Sequence, residues 1–419
     1  MSLVATKCED DDVVPQTVVV EGGIDVPSTY SFESRFGEGL SSVSYGGQVV
    51  RNLLVADIKK IIDNEAAATS PSPVKTRVLA LFNREDSDDA NTLINTTPAP
   101  LETKYSAISS GKNLSGKIAT DAVKYYGDGT KTPETLITEW LDQIDANIAN
   151  GATGKDIYIT GDLVDINQMI NKLILGSVIY FRGSQDYLIG LENRDNSGPK
   201  GEALYTDMEH GFDEAFGYYG ASRSYGSFTD TELKSKPYKD IDGDGAIDFQ
   251  SEYNFGFSTN AGKRDAGAVE MTDFTKDAFD AFLACRTAIT NERSNAEIAI
   301  FARSAHETWE KVIAATVIHY INDTKNDLDD YDADPASAKA NLAKHYGEMK
   351  AFGLALAYGG SEYRLISDAD LTAIHEYFGD APNVTNISSY KSDLDKAAEI
   401  MRLTYNFAQG NVANWRPVK

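Results

Sequence analysis

Apolar residues recur with the period of an α-helix through most of this chain, from about residue 46 onward. In one early segment Leu54, Ile58, Ile61 and Ile62 fall on a single helical face. Clusters of Gly, Asn, Asp and Pro separate such segments from one another. The pattern predicts an all-α fold, because a half-buried strand would instead alternate apolar and polar residues at every second position.

A weak internal repeat organises the helical part of the chain. Residues 172–181 (KLILGSVIYF) align without a gap with residues 311–320 (KVIAATVIHY), and each position keeps its physical type. A helix around Trp140 precedes the first segment, as a helix around Phe279 precedes the second. We therefore predict two tandem helical bundles from an internal duplication, because repeated segments fold as similar units that stack on each other.

Changes in composition suggest the remaining boundaries. Tyr30 and Phe32 alternate with serines, which predicts an extended segment at 28–45. Residues 84–130 are rich in Asp, Asn, Thr, Ser and Gly and predict a long surface excursion with little core of its own. The predicted division is a flexible acidic tether at 1–27, an N-terminal extended and helical segment with a long loop at 28–129, a first helical repeat at 130–225, a calcium-loop connection at 226–267, a second repeat at 268–360 and C-terminal helices at 361–419.

Composition also limits the partners of the chain. Of 419 residues 42% are hydrophobic, which is ample for real cores. The 39 basic and 64 acidic side chains give a formal net charge of −25, which repels nucleic-acid backbones and attracts divalent cations. We therefore expect no nucleic-acid partner. No apolar run reaches the eighteen residues of a membrane-spanning helix, so we predict no bilayer span.

The two cysteines have different settings. Cys285 lies in an apolar helical run and is predicted to be a small buried hydrophobe. Cys8 precedes four acidic residues, and this resembles the lipid-attachment cysteine and acidic export tag of surface lipoproteins in some Gram-negative bacteria. Those proteins have a small residue before the cysteine, where this chain has Lys7. The alternative is an incidental free cysteine in a disordered tail. A lipid on Cys8 would be the only membrane contact of an extracytoplasmic, periplasmic or cell-surface protein.

A short acidic loop carries the most specific chemical pattern in the sequence. Residues 240–248 read DIDGDGAID, which places Asp240, Asp242 and Asp244 at positions 1, 3 and 5 of an EF-hand calcium loop. Gly245 follows at position 6, where the backbone must turn sharply. Alternating carboxylates supply the hard oxygen ligands that Ca²⁺ requires. The alternative is a solvated acidic turn, for which Asp and Gly are ordinary residues.

The second half of this loop completes the predicted ligand set. Ala246 would offer its carbonyl oxygen at position 7, and Asp248 would take position 9. The closing glutamate of an EF-hand would fall at Ser251, so Glu252 is the predicted substitute. Because only one such loop occurs, we predict a structural calcium ion between the two repeats rather than a sensor.

Two histidine and glutamate pairs could hold a second divalent metal. His306 with Glu310, and His210 with Glu214, are each four residues apart and would share a helical face. The alternative for the first pair is a hydrogen-bonded core pair, with an arginine such as Arg303 as a partner. The alternative for the second pair is a solvated face.

Three further histidines are weaker candidates. His345 and Glu348 are three residues apart and could also chelate, although Gly347 lies between them. We assign no acidic partner at helical spacing to His319 or His375, so we expect packed or surface histidines.

No pattern of an enzyme class occurs in the sequence. There is no G-x-S-x-G, no P-loop, no dinucleotide fingerprint and no H-E-x-x-H, since the segment that starts at His306 lacks the second histidine. The sequence therefore favours a protein that binds over one that catalyses.

Three short sequence segments resemble those of an uncharacterised family of bacterial lipoproteins, which carries an insert like a calcium loop and has no known activity. They are residues 213–218 (DEAFGY), 251–255 (SEYNF) and 263–265 (KRD). The predicted bundles, the anchor and the His/Glu pairs also resemble the imelysin-like proteins, which are linked to bacterial iron acquisition. The motif of that group is G-x-H-x-x-E, and Trp309 stands where the glutamate would follow His306.

These resemblances imply a calcium-containing, surface-anchored binding protein of the cell envelope that serves iron, haem or other metal uptake. The alternative is a helical glycan- or peptide-binding lipoprotein that partners an outer-membrane transporter. The 22 tyrosines favour it, because aromatic faces suit sugars and peptides. A metallopeptidase is the third hypothesis.

Overall fold

The computed structural model describes residues 17–19, 24–90, 94 and 99–415, and this part of the chain is mostly helical. The all-α fold class is therefore confirmed. Fourteen α-helices occur in the described residues. They are α1 (Gly46–Ala67), α2 (Lys75–Phe82), α3 (Tyr105–Ile108), α4 (Pro133–Ala149), α5 (Ile166–Ile174), α6 (Asp207–Tyr219), α7 (Asp230–Ser235), α8 (Gly256–Ala266), α9 (Phe274–Thr290), α10 (Asn295–Ala333), α11 (Pro335–Leu356), α12 (Asp368–Phe378), α13 (Ile387–Tyr405) and α14 (Gln409–Asn414).

Two short antiparallel hairpins precede the helices. Strand β1 (Thr17–Val19) pairs with β2 (Asp25–Pro27), and β3 (Glu33–Ser34) pairs with β4 (Gly37–Ser41). The segment expected to be extended thus contains β3 and β4. Cys8 and most of the predicted tether lie outside the described residues.

Local side-chain contacts fix where the long helices begin. Ser294 and Glu297 form a capping box at the start of α10, which runs for 39 residues. Thr132 caps α4, and Pro133 occupies its first turn, where its missing N–H does no harm. None of the helices in the described ranges is both long and apolar enough to cross a membrane.

The helix that begins as α5 continues past Ile174 with wider, π-helical turns as far as Leu188. Two glycines let neighbouring helices approach it closely. A Cβ atom on Gly176 would lie 2.8 Å from the Cα of Ala355 in α11, and one on Gly183 would lie 2.5 Å from the Trp309 ring of α10. Larger residues would not fit at either position, so the first predicted repeat packs directly against the second.

A single continuous hydrophobic core runs through both predicted repeats. Ile170 in α5 and Trp309 in α10 are fully buried in it. Tyr105 and Leu114, from the excursion predicted at 84–130, belong to the same core, so the described part of that segment around them packs on the body of the protein. The duplication and its boundaries stay a prediction, while the free Cys285 is buried as expected.

A buried ionic network joins three distant parts of the chain. The Arg286 guanidinium on α9 donates to Asp213 at 2.9 Å and to Glu209 at 3.1 Å, both on α6. It also donates to the Ser42 hydroxyl at 2.7 Å, and Tyr30 donates to Asp213 at 2.9 Å. Burial lowers the pKa of Arg286, but its anionic neighbours more than offset this and the pKa is raised. The arginine is therefore a buried cation that neutralises two buried carboxylates.

Replacing this cation should destabilise the fold strongly. In Arg286→Ala, Asp213 remains in the interior without its ion-pair partner and Glu209 keeps only Arg35, at 3.6 Å. The free energy of unfolding should therefore fall by about 3–5 kcal/mol.

Arg293→Ala is the matched control, because Arg293 forms an exposed pair with Glu297, and its effect should stay within about 1 kcal/mol. Urea unfolding of the two variants measures both values. If the two variants lost the same free energy of unfolding, the buried network would contribute no more to stability than an exposed ion pair.

Candidate functional site

The acidic loop lies between α7 and α8 and brings three carboxylates together. Ligand oxygens of Asp240, Asp242 and Asp244 lie within 4.8 Å of one another, and all three side chains are exposed. Gly245 has a φ of +87°, a conformation that glycine adopts without strain. Within the described residues this is the only group of three acidic, histidine or cysteine side chains with such spacing.

The loop is anchored to the segment at 99–101. Ile247 is buried, its N–H donates to the carbonyl of Ala99 at 2.7 Å, and its carbonyl accepts from the N–H of Leu101 at 3.0 Å. The apolar residue at loop position 8 thus joins the acidic turn to the predicted surface excursion. This contact fixes the backbone that carries the carboxylates.

Glu252 holds the two ends of the loop together. Its buried carboxylate accepts the N–H of Asp242 at 3.3 Å and the N–H of Asp248 at 2.9 Å. Asp248 in turn accepts the Ser251 hydroxyl at 2.5 Å. The carbonyl of Ala246 belongs to the same turn. In this arrangement Glu252 positions the backbone of the loop, while Asp240, Asp242 and Asp244 face solvent.

His306 and Glu310 are brought together inside the core. Both are fully buried, and His306 Nδ1 lies 3.8 Å from Glu310 Oε2. The glutamate accepts the N–H of Leu365 at 2.9 Å and the hydroxyl of Tyr405 at 2.8 Å. Burial raises the pKa of Glu310, and these hydrogen bonds oppose the rise. Within the described residues His306 Nδ1 has no hydrogen-bond partner, so the two side chains are core neighbours without a hydrogen bond between them. Arg303 is not a partner of either and lies over the Tyr363 ring, 4.4 Å from its centre.

A serine that no local sequence pattern marks lies next to this pair. Ser184 Oγ lies 3.0 Å from His306 Nε2, although the two residues are 122 positions apart. The order of Ser184, His306 and Glu310 is that of a hydrolytic triad. However, Ser184 is fully buried, and burial lowers the pKa of His306 to about 3, far below what a general base at neutral pH requires. His306 hydrogen-bonds Ser184, whereas Glu310 accepts from Leu365 and Tyr405, so the three side chains are not linked as a triad.

The second pair, His210 and Glu214, lies nearer the surface. Nε2 and Oε2 are 3.9 Å apart, and both side chains are 21% exposed. His210 Nδ1 contacts the carbonyl of Ser44 at 3.1 Å, and Gln48 donates to Glu214 at 2.7 Å. The structure brings this pair together in a half-buried position, with other polar groups already bound to each side chain.

The remaining histidines differ from the expectation in one respect. We expected no acidic partner for His319, and this was wrong, because Asp323 one turn later lies 3.3 Å from its Nε2.

His345 contacts Asp327 at 2.5 Å. Glu348 accepts the Tyr320 hydroxyl at 3.0 Å, so His345 and Glu348 bind different partners. His375 is buried and stacks on Tyr125.

A cleft of about 570 Å³ is a further site that sequence reasoning missed. Buried aromatic and aliphatic side chains form its floor, and three aspartates with one lysine stand among its lining residues. It lies where β2, α7 and α9 meet. No local pattern marks it, because its residues come from three separate segments. They include Val26, Tyr225, Phe228, Asp230, Asp273, Lys276, Phe279 and Asp280.

A family model described as a domain of unknown function (DUF4856) matches residues 27–407. The chain belongs to the DUF4856 family. The expected resemblance to an uncharacterised family is thereby confirmed. No curated protein and no solved structure matches the chain. Membership of DUF4856 assigns no activity, so the function has to be argued from the sites themselves.

The pKa of His306 gives this DUF4856 protein a testable pH dependence. Between pH 6.5 and about 3 the unfolded chain binds a proton at His306 and the folded chain does not, so stability is lost as the pH falls below 6.5. In His306→Gln this contribution is absent. The difference in unfolding free energy between wild type and variant should therefore shrink by about 2 kcal/mol from pH 7 to pH 5.

Urea unfolding of both proteins across this range measures the effect. Between pH 7 and pH 8 the difference should stay constant, which serves as the internal control. A constant difference down to pH 5 would mean that His306 is protonated in the folded protein.

Proposed function

We propose that this chain is a calcium-containing binding protein of the bacterial cell envelope, in which the ion is structural. The observation that supports calcium is the exposed trio of Asp240, Asp242 and Asp244, at alternate positions in a loop that follows the EF-hand pattern. The carbonyl of Ala246 and the carboxylate of Asp248 complete the proposed ligands. Extracellular calcium is abundant enough to fill even a modest site of this kind.

A structural role for the ion is favoured by how the loop is held. Ile247 and Glu252 anchor the loop from within, and α7 and α8 flank it directly. An ion here would fix the connection between the two predicted repeats. The part of the chain that the structure describes has no second loop of this kind to pair with it, as EF-hand sensors have.

Transition-metal or haem uptake has less support than the binding of a peptide or glycan. The carboxylate of Glu310 is occupied by hydrogen-bond donors, and His306 is sealed in the core. The cleft beside α9 favours the alternative, a peptide- or glycan-binding protein, because aromatic floors with a few polar groups are typical of ligand sites. The lipid anchor at Cys8 and an outer-membrane transporter as partner rest on the sequence alone.

Removal and return of metal tests the proposal. After exhaustive chelation, calcium should raise the melting temperature by several degrees without changing the helical circular dichroism. At a calcium concentration a hundred times the Kd, the gain should be about 2.7 kcal/mol. Terbium should luminesce when it occupies the loop, because Tyr238 and Tyr253 stack beside it and can act as sensitisers.

Two double variants make the test specific. Asp242→Asn with Asp244→Asn should abolish both effects, whereas Asp330→Asn with Asp332→Asn removes the same charge from exposed positions on α10 and should change neither. An unchanged melting curve on calcium addition would refute the calcium site. Elemental analysis of the wild type counts the metal ions bound per chain. A second ion that is absent from the double variant His306→Gln with Glu310→Gln would support metal uptake.

A further inference from the structure

The cleft between β2, α7 and α9 combines an aromatic floor with an acidic rim. Tyr225, Phe228 and Phe279 are buried side chains that line it. Asp230 and Asp273 stand at the rim. A volume of about 570 Å³ falls within the range of small-molecule and side-chain sites.

Asp230 is the unbalanced charge of this cleft. Its carboxylate accepts the Thr275 hydroxyl at 3.3 Å, and the described residues form no ion pair with it. Burial, Asp265 and Asp273 together raise its pKa to about 6.

The one lysine of the lining, Lys276, is engaged by Asp280. Lys239, whose ammonium lies 4.6 Å from the centre of the Phe228 ring, is paired with Glu232. A half-buried anion among like charges is stabilised when an external cation binds.

A bare metal ion does not suit this position. In the described chain the one group of acidic side chains close enough to share an ion is the loop trio of Asp240, Asp242 and Asp244, and the cleft aspartates are outside it. A larger organic cation can contact one carboxylate and an aromatic face together. Ring faces attract ammonium and guanidinium groups through their quadrupole.

We propose that this cleft binds the lysine or arginine side chain of a peptide, with Asp230 as the counter-charge and the rings of Phe228 and Phe279 as the apolar walls. This inference deepens the proposed binding function and rests on it, but it does not depend on the calcium loop. The net charge of −25 would also draw basic peptides toward the protein.

Three probes separate a cationic ligand from a neutral one. The peptide acetyl-Gly-Lys-Gly-amide is compared with its norleucine analogue, which keeps the alkyl chain and lacks the charge, and with the neutral oligosaccharide cellotriose. Binding is followed by chemical-shift changes in nuclear magnetic resonance spectra of the full chain. The lysine peptide should bind at least about tenfold more tightly than either neutral probe.

Substitutions then assign the charge to Asp230. Asp230→Asn should weaken binding of the lysine peptide about tenfold and leave the melting temperature unchanged or raised, because it removes a crowded anion. Asp332→Asn is the matched control on the exposed face of α10 and should have no effect. Asp230→Lys should abolish binding, since it supplies the cation from the chain itself.

Several results would overturn the inference. One is that the norleucine peptide binds as tightly as the lysine peptide, and another is that the lysine peptide does not bind at all at millimolar concentration. Cellotriose binding that is the same in wild type and in Asp230→Asn would also overturn it. Terbium luminescence, measured on separate chelator-free samples, separates the two proposals. Absence of peptide binding by a chain that gives terbium luminescence refutes the cleft alone, whereas peptide binding by a chain that takes up no calcium refutes the calcium loop alone.

Discussion

The buried guanidinium of Arg286 is the interaction on which the rest of the fold depends. Its two carboxylate partners lie on α6, its hydroxyl partner Ser42 follows β4, and the arginine itself belongs to α9. Both anions are buried beside this cation, and the Arg35 guanidinium, 3.6 Å from Glu209, adds a second positive charge at one of them. The network therefore fixes the relative positions of the N-terminal segment and of helices from both predicted repeats, which hydrophobic packing alone would specify less sharply.

Helix α9, which carries Arg286, connects this network to the surface. Phe279 and Asp280, two turns before Arg286 on α9, line the cleft that also contains Tyr225 and Asp230. Tyr30 stacks on Phe216 and donates to Asp213, so the segment after β2 is held by the same charges. The walls of the cleft are consequently set by buried interactions, which favours a rigid site that is formed before a ligand arrives.

Local patterns in the sequence predicted the helices and the acidic loop, because the evidence for each lies within a few neighbouring residues. The spacing of His306 and Glu310 correctly placed them on one face, but it could not reveal that Leu365 and Tyr405 donate to the glutamate. The contacts of Ser184 with His306 and of Arg286 with Asp213 join residues 122 and 73 positions apart. Such pairs depend on how helices pack, and one sequence carries no signal for them.

The two proposed sites are connected through a short piece of chain. Lys239, which directly precedes the loop at Asp240, pairs with Glu232 of α7 and lies over the Phe228 ring, 4.6 Å from its centre. Phe228 belongs to the cleft, and Asp230 opens α7. An ion at Asp240, Asp242 and Asp244 would restrict the backbone that carries Lys239, but the proposed peptide site does not require it, because no residue of the acidic loop lines the cleft. The cleft itself is lined by residues of β2, α7, α9 and the turn before α7, so its walls are set by the packing of these segments.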